Sequence, residues 1–139
     1  MADDVSSRSL EGYRQPSVCI VIPARPPAPR LARVIERLLA QRYEGTIEVL
    51  VVIDDGEDIP GVPSPPSLSG TLRRALRTLP NVQAPGLEGA RRTGRSAAEG
   101  EIVVYCRADE EWHPDRLREV VVRRFVARRR AQARDWVNR

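Results

Sequence analysis

Val103-Val104-Tyr105-Cys106-Arg107-Ala108-Asp109-Glu110-Glu111-Trp112 carries an apolar run into three consecutive acids and an aromatic. Its first half has the pattern of a strand buried in a parallel sheet, where both faces are covered. Open α/β sheets bind ligands outside the carboxyl ends of their strands. Acids at such an end can hold a hard divalent cation, and the cation can hold a phosphate. The plainer alternative is a strand that runs into a solvated acidic turn. This stretch alone leaves both readings open.

Upstream, the same build recurs. Residues 17–23 form a continuous apolar run stopped by Pro23, as expected of a central parallel strand. Pro26, Pro27 and Pro29 then exclude helix and regular sheet. A helix is expected over 30–42. Leu31, Val34, Ile35, Leu38 and Leu39 share one face, and Arg33, Glu36, Arg37 and Gln41 take the outer one. Residues 47–53 are a second β-branched strand, ending in Asp54-Asp55-Gly56. Strand, helix and strand make a right-handed parallel βαβ unit.

Pro60, Pro63, Pro65 and Pro66 mark a stiff connector. Leu68, Leu72, Ala75, Leu76 and Leu79 predict a helix over 68–79, followed by a short strand over 81–84. A small-residue helix over 87–99 would pack close to a sheet through Ala90, Gly94, Ala97 and Ala98, with Gly100 as its C-cap. Residues 102–106 are the fourth strand. Pro114 and Asp115 open a last helix, with Leu117, Val120, Val121 and Phe125 as its core and Arg128–Arg130 outward.

Composition narrows the class. The chain has 139 residues, enough for one domain with a proper core. Apolar residues make up 41% and aromatics 4%, which fits an aliphatic α/β core better than an all-β sandwich. Residues 1–16 are expected to be a flexible arm, 17–122 the folded domain and 123–139 a basic helical extension. All 23 basic residues are Arg, and nine fall in residues 116–139 against two acids, Glu119 and Asp135. Such a tail can bind phosphates, nucleic acid or anionic lipid, or form the solvated face of a helix. The solvated face is the favoured reading, and nucleic acid is not an expected partner. Cys19 and Cys106, far apart and each in an expected strand, read as reduced packing thiols of a cytoplasmic protein. The polar N-terminus is no signal peptide, and no apolar run reaches membrane-spanning length. Membrane contact is therefore expected only at the periphery or through a partner.

Several stretches resemble family 2 glycosyltransferases, in that family's order and spacing. Residues 18–24, the helix ending Leu38-Leu39-Ala40-Gln41 and residues 49–56 are similar to its opening: a strand ending Ile-Pro-Ala-Tyr-Asn, a helix ending Leu-x-Gln, then Val-Val-Asp-Asp-Gly. Gly89-Ala90-Arg91-Arg92-Thr93-Gly94 looks like its Ala-Arg-Asn-x-Gly helix. Residues 107–112, with Pro114-Asp115-Arg116-Leu117, are similar to Asp-Ala-Asp-Asp-Glu-Trp-x-x-Pro-Asp-Lys-Leu. The resemblance covers residues 17–120.

It implies the GT-A fold: three layers, Rossmann-like, a mostly parallel sheet flanked by helices, here truncated to the nucleotide-sugar half. The implied ligand is a nucleotide-diphosphate sugar, commonly a UDP-sugar. The implied contacts are Pro23, Ala24, Arg25, Asp54, Asp55, Arg91, Arg107 and Ala108. Asp55 matches the carboxylate that reads the base, which suits an imide N–H. Without a ligand, Asp-Gly also favours a plain turn. Arg91 matches a basic position near the phosphates; the alternative is a surface helix Arg. Asp109 matches the last carboxylate of the Asp-x-Asp metal motif, and would hold Mg or Mn.

The departures are specific. Arg107 stands where the first Asp of Asp-x-Asp belongs, Arg25-Pro26 where Tyr-Asn belongs, and Arg92 where the Asn belongs. The family's acceptor half, with its catalytic base, has no match, and neither Glu110, Glu111 nor His113 is assigned that role. The leading expectation is a donor-binding glycosyltransferase domain whose acceptor site comes from a second chain or oligomer. A non-catalytic or truncated relative that binds a nucleotide or partner is the second, and an Arg-rich anion-binding module the third.

Overall fold

A computed structural model describes residues 15–54, 73–124 and 127. The elements run β1 (Val18–Ala24), α1 (Leu31–Leu39), β2 (Ile47–Ile53), β3 (Arg74–Pro80), α2 (Leu87–Ala97) and β4 (Ile102–Tyr105). Residues 116–124 are helical and are termed α3. The four strands form one parallel sheet in the order β3-β2-β1-β4. Val18 lies beside Ile47 on one side and Ile102 on the other.

The two apolar runs read as central strands are central. β1 is buried at every position, and β2 at all but Glu48. Successive side chains point to opposite faces, so each strand feeds two cores. Val18, Ile20 and Ile22 join Val49 and Val51 under Val34, Ile35 and Leu38 of α1 and Leu117 and Val121 of α3. Cys19, Val21, Leu50 and Val52 pack on the other side with Ala90 of α2. Helices thus cover both faces, giving three layers. Each aliphatic side chain buried in this way contributes roughly 1.5–3 kcal/mol. Trp112 adds its ring to the first core, with the Arg116 guanidinium over it at 5.9 Å.

α2 comes close to the sheet because its inner face is small. A Cβ on Gly94 would stand 2.3 Å from Cγ1 of Val21. Cys19 and Cys106 are unpaired and buried. Burial pushes both thiols up to about 12, so both stay protonated at neutral pH.

Three expectations need correction. Residues 74–80 are the edge strand β3, not the end of a helix over 68–79, and 81–84 are loop rather than strand. The Leu and Ala spacing there fits a helix, but hydrogen bonding to β2 decides the outcome. Gln41 is buried, not on an outer helix face, because α1 stops at Leu39 and the chain turns inward. Its Nε2 donates to the His113 carbonyl at 2.8 Å, and its Oε1 accepts the Leu117 N–H at 2.8 Å. One amide therefore joins the end of α1 to the start of α3, and satisfies a donor that the first helical turn leaves open.

β3 also carries the two cations that close the helices. Arg74 is buried, and its guanidinium donates to five main-chain carbonyls: Leu39, Gln41, Tyr43, Gly45 and Arg73, at 2.7–3.2 Å. It ends α1 and shapes the turn into β2. Burial lowers its pKa from the ordinary arginine value. Arg77 points to the opposite face, where it donates to the Ala97 carbonyl of α2 at 2.6 Å and pairs with Glu48 at 3.1 Å.

Residues 1–14 of the expected N-terminal arm, the proline-rich connector, Phe125 and Arg128–Arg130 lie outside the described residues. Among the described residues, no helix is long and apolar enough to cross a membrane.

Arg74→Ala leaves several buried carbonyls without donors and is expected to destabilise the chain by about 3 kcal/mol or more. Arg77→Ala, at a half-exposed ion pair, is expected to cost about 1 kcal/mol. Urea unfolding followed by far-UV circular dichroism measures both. Equal losses would contradict the separate roles of the two cations.

Candidate functional site

The strand order places a topological switch between β1 and β4. β1 feeds α1 on one face of the sheet, and α2 on the other face feeds β4. Ligand crevices of open α/β sheets form at such points. Here a cleft of about 250 Å³ opens at the carboxyl ends of β1 and β2. It is lined by Pro23, Ala24, Arg25, Asp54, Gly86, Leu87 and Ala90. Four residues expected at the site therefore meet in one place: Pro23, Ala24, Arg25 and Asp54.

Asp54 is the hub of that cleft. It follows β2, and its N–H donates to the Ala24 carbonyl of β1 at 2.8 Å. Its side chain is buried and accepts three hydrogen bonds: from Asn81 Nδ2 at 3.0 Å, from the Gly86 N–H at 3.0 Å and from Arg25 Nη2 at 2.9 Å. The Asn81 amide, then the Gly86 N–H and Arg25, hold this carboxyl below its usual range against the opposing effect of burial. Asp54 thus organises the cleft wall. Asp55, expected to read the base, lies outside the described residues.

Asn81 extends the network. Its amide also donates to the Ala84 carbonyl at 3.0 Å, and its Oδ1 accepts from Thr93 Oγ1 at 2.7 Å and from the Gln83 N–H at 3.0 Å. The Val82 N–H closes on Thr93 Oγ1 at 3.2 Å. The loop 81–86 is thereby pinned to β2 and α2. Gly86 ends it at φ +113°, a conformation that side-chain-bearing residues rarely adopt. Asn81, Gly86 and Thr93 escaped the sequence reading, which took 81–84 as strand. The signal available was the turn chemistry of Asn81 followed by Pro85-Gly86.

The remaining expected residues do not line the cleft. They gather at the end of β4, the strand beside β1. Arg91, on the exposed side of α2, places its guanidinium 5.3 Å from the Tyr105 ring centroid. Arg107 begins a turn in which the Glu110 N–H donates to its carbonyl at 3.2 Å and Glu110 Oε1 accepts its N–H at 3.3 Å. Arg107 Nε lies 3.3 Å from Asp109 Oδ1, with both side chains exposed. Ala108 packs against the first core. Glu111 is held by Arg33 and by Arg37. His113 faces Glu119 at 3.5 Å and accepts the Asp115 N–H.

The Mg or Mn ion expected on Asp109 meets a donor set that does not fit it. A guanidinium already occupies that carboxylate. Among the described residues no three His, Cys, Asp or Glu side chains converge to hold a cation.

Comparison with known proteins agrees with this architecture. The family model for glycosyl transferase family 2 matches residues 19–129. Among solved structures, a mannosyltransferase from Pyrobaculum calidifontis, in complex with GDP-Man and Mn2+, is similar at 23% identity and a TM-score of 0.60. The alignment covers 84% of this chain and 37% of that one. TarS of S. aureus is similar at 17% identity and a TM-score of 0.50, over 76% of this chain and 19% of its own. At these identities the likeness establishes the fold, and the chain spans little more than a third of the first neighbour's length. No curated protein gives a significant match.

Because the folded Asp54 carboxyl is more acidic than in the unfolded chain, its stabilising contribution is full above about pH 4 and fades as pH falls through its lowered folded value. Asp54→Asn turns one of the two accepting oxygens into a donor, which then faces either Asn81 Nδ2 or the Gly86 N–H and Arg25. It is expected to lower the urea midpoint at pH 7 and to flatten the stability profile below about pH 4. An unchanged acid profile would show that the carboxylate does not hold the three strand ends.

Proposed function

The chain belongs to glycosyl transferase family 2, and from that premise we propose that it binds a nucleotide-diphosphate sugar at the carboxyl ends of β1, β2 and β4. The observation that carries the reading is the cleft at the carboxyl ends of β1 and β2, where Pro23, Ala24, Arg25 and Asp54 converge. A buried carboxylate there fixes the loop leading into α2, so the cleft wall is organised before any ligand arrives. Arg25 lines the cleft, and Arg91 over Tyr105 and Arg107 after β4 stand at the end of the strand beside β1. A diphosphate suits such guanidinium partners.

In this proposal Asp55 reads the base, as the family resemblance implies, and Arg91 and Arg107 face the diphosphate. Pro23, Ala24 and Ala108 lend main chain and shape. The sugar-transfer step needs a base to take the acceptor hydroxyl's proton. We assign that base and the acceptor site to polypeptide other than the described residues, in a second chain or oligomer. The mannosyltransferase neighbour contains GDP-Man, whereas the family resemblance points to UDP-sugars; both nucleotides are therefore part of the test.

Isothermal titration of the purified chain is expected to show saturable binding of UDP or GDP, tighter than of the matching monophosphate. Asp55→Ala is expected to weaken it about tenfold, the loss of one charge-assisted hydrogen bond. Saturation by neither diphosphate up to millimolar concentration would overturn the proposal.

A further inference from the structure

We propose that this chain neutralises the donor diphosphate with the guanidinium groups of Arg107 and Arg91, and that donor binding needs no divalent cation. The inference rests on the donor-site reading above and deepens it.

Three features at the end of β4 support it. First, the position that would supply one metal carboxylate supplies a cation instead. Arg107 follows Cys106, whose N–H still pairs with the Val21 carbonyl of β1 at 3.0 Å. The main chain therefore carries Arg107 to the carboxyl edge of the sheet, directly beside β1.

Second, Arg107 is oriented at both ends. Its N–H donates to Glu110 and its Nε is paired with Asp109 at 3.3 Å. Asp109 is in this view a positioning residue that aims a guanidinium. A divalent ion bound to the same oxygen at its usual distance of about 2.1 Å would sit within about 5 Å of that positive charge. Guanidinium and metal ion therefore compete for one carboxylate.

Third, a second guanidinium stands at the same strand end. Arg91 is held over the ring of Tyr105, two residues before Arg107, and the ring is part exposed. Two planar, permanently charged forks beside one strand end match a diphosphate, which offers oxygens on two phosphorus centres. The nearby Glu111 does not counter them, because Arg33 and Arg37 of α1 hold it.

The test is calorimetric titration of the purified chain with GDP and with UDP, once in EDTA and once in Mn2+. The affinity of the preferred nucleotide is expected to agree within about twofold between the two conditions. Arg107→Gln and Arg91→Gln are each expected to weaken binding in EDTA by about tenfold. Arg107→Asp, which creates Asp-x-Asp, is expected to lose binding in EDTA and regain it in Mn2+. Both side chains changed are exposed, and thermal melting of each of the three variants checks that it folds. Wild-type binding that appears only with Mn2+ would overturn this inference and leave the donor-site reading standing. Binding in EDTA that survives both glutamine variants would overturn it as well. No binding of either nucleotide in either condition would overturn the donor-site reading, and this inference with it.

Discussion

A single buried guanidinium sets the geometry at one edge of the sheet. Among the described residues Arg74 has no carboxylate partner; its donors end on five main-chain carbonyls, four of them at the close of α1 and in the turn that follows. Burying a charge is costly unless hydrogen bonds replace its water. Here they do, and the last turn of a helix is where a positive charge is also favoured by the helix dipole. The turn from α1 into β2 takes its shape from this contact.

The same electrostatic logic recurs at the other helix. Arg77 sits at the carboxyl end of α2, and the Asp54 carboxylate accepts the N–H of Gly86 at its amino end. Cations meet helix C-termini and an anion meets a helix N-terminus, as the partial charges of helix ends require. Because α2 runs antiparallel to the strands, these charges fall on opposite edges of the sheet. The arginines seal the edge where strands begin. Asp54 builds the edge where strands end, and there the cleft opens. A scaffold with its helix ends satisfied internally leaves the exposed cations Arg91 and Arg107 at the ligand edge.

Much of this was legible in the chain. Residues 18–24 and 47–53 are buried on both faces, and double burial leaves a plain trace: an unbroken apolar run. α1 wrote its period in Leu31, Val34, Ile35 and Leu38, all buried. Asp54, one of the acids read at strand ends, lies in the cleft at the carboxyl ends of β1 and β2. What could not be read was the hydrogen bonding of that carboxylate, because its partners Asn81 and Gly86 come from a loop 27 and 32 residues away in sequence. Gln41 was missed for a related reason: its face depends on where α1 stops, and Arg74 controls that from a distant strand.

The sequence by itself determined the class of fold, the two central strands and the family resemblance. These follow from local composition and short motifs, which need no partner to be recognised. Only the tertiary structure decided what residues 74–80 are. Their leucine spacing suits a helix, on which Arg74 and Arg77 would share a face. On a strand, residues three apart point to opposite faces, so one cation reaches α1 and the other α2. Nothing local separates these outcomes. The pairing of β3 with β2 does, because an exposed edge of that buried strand would otherwise leave its main-chain groups without partners.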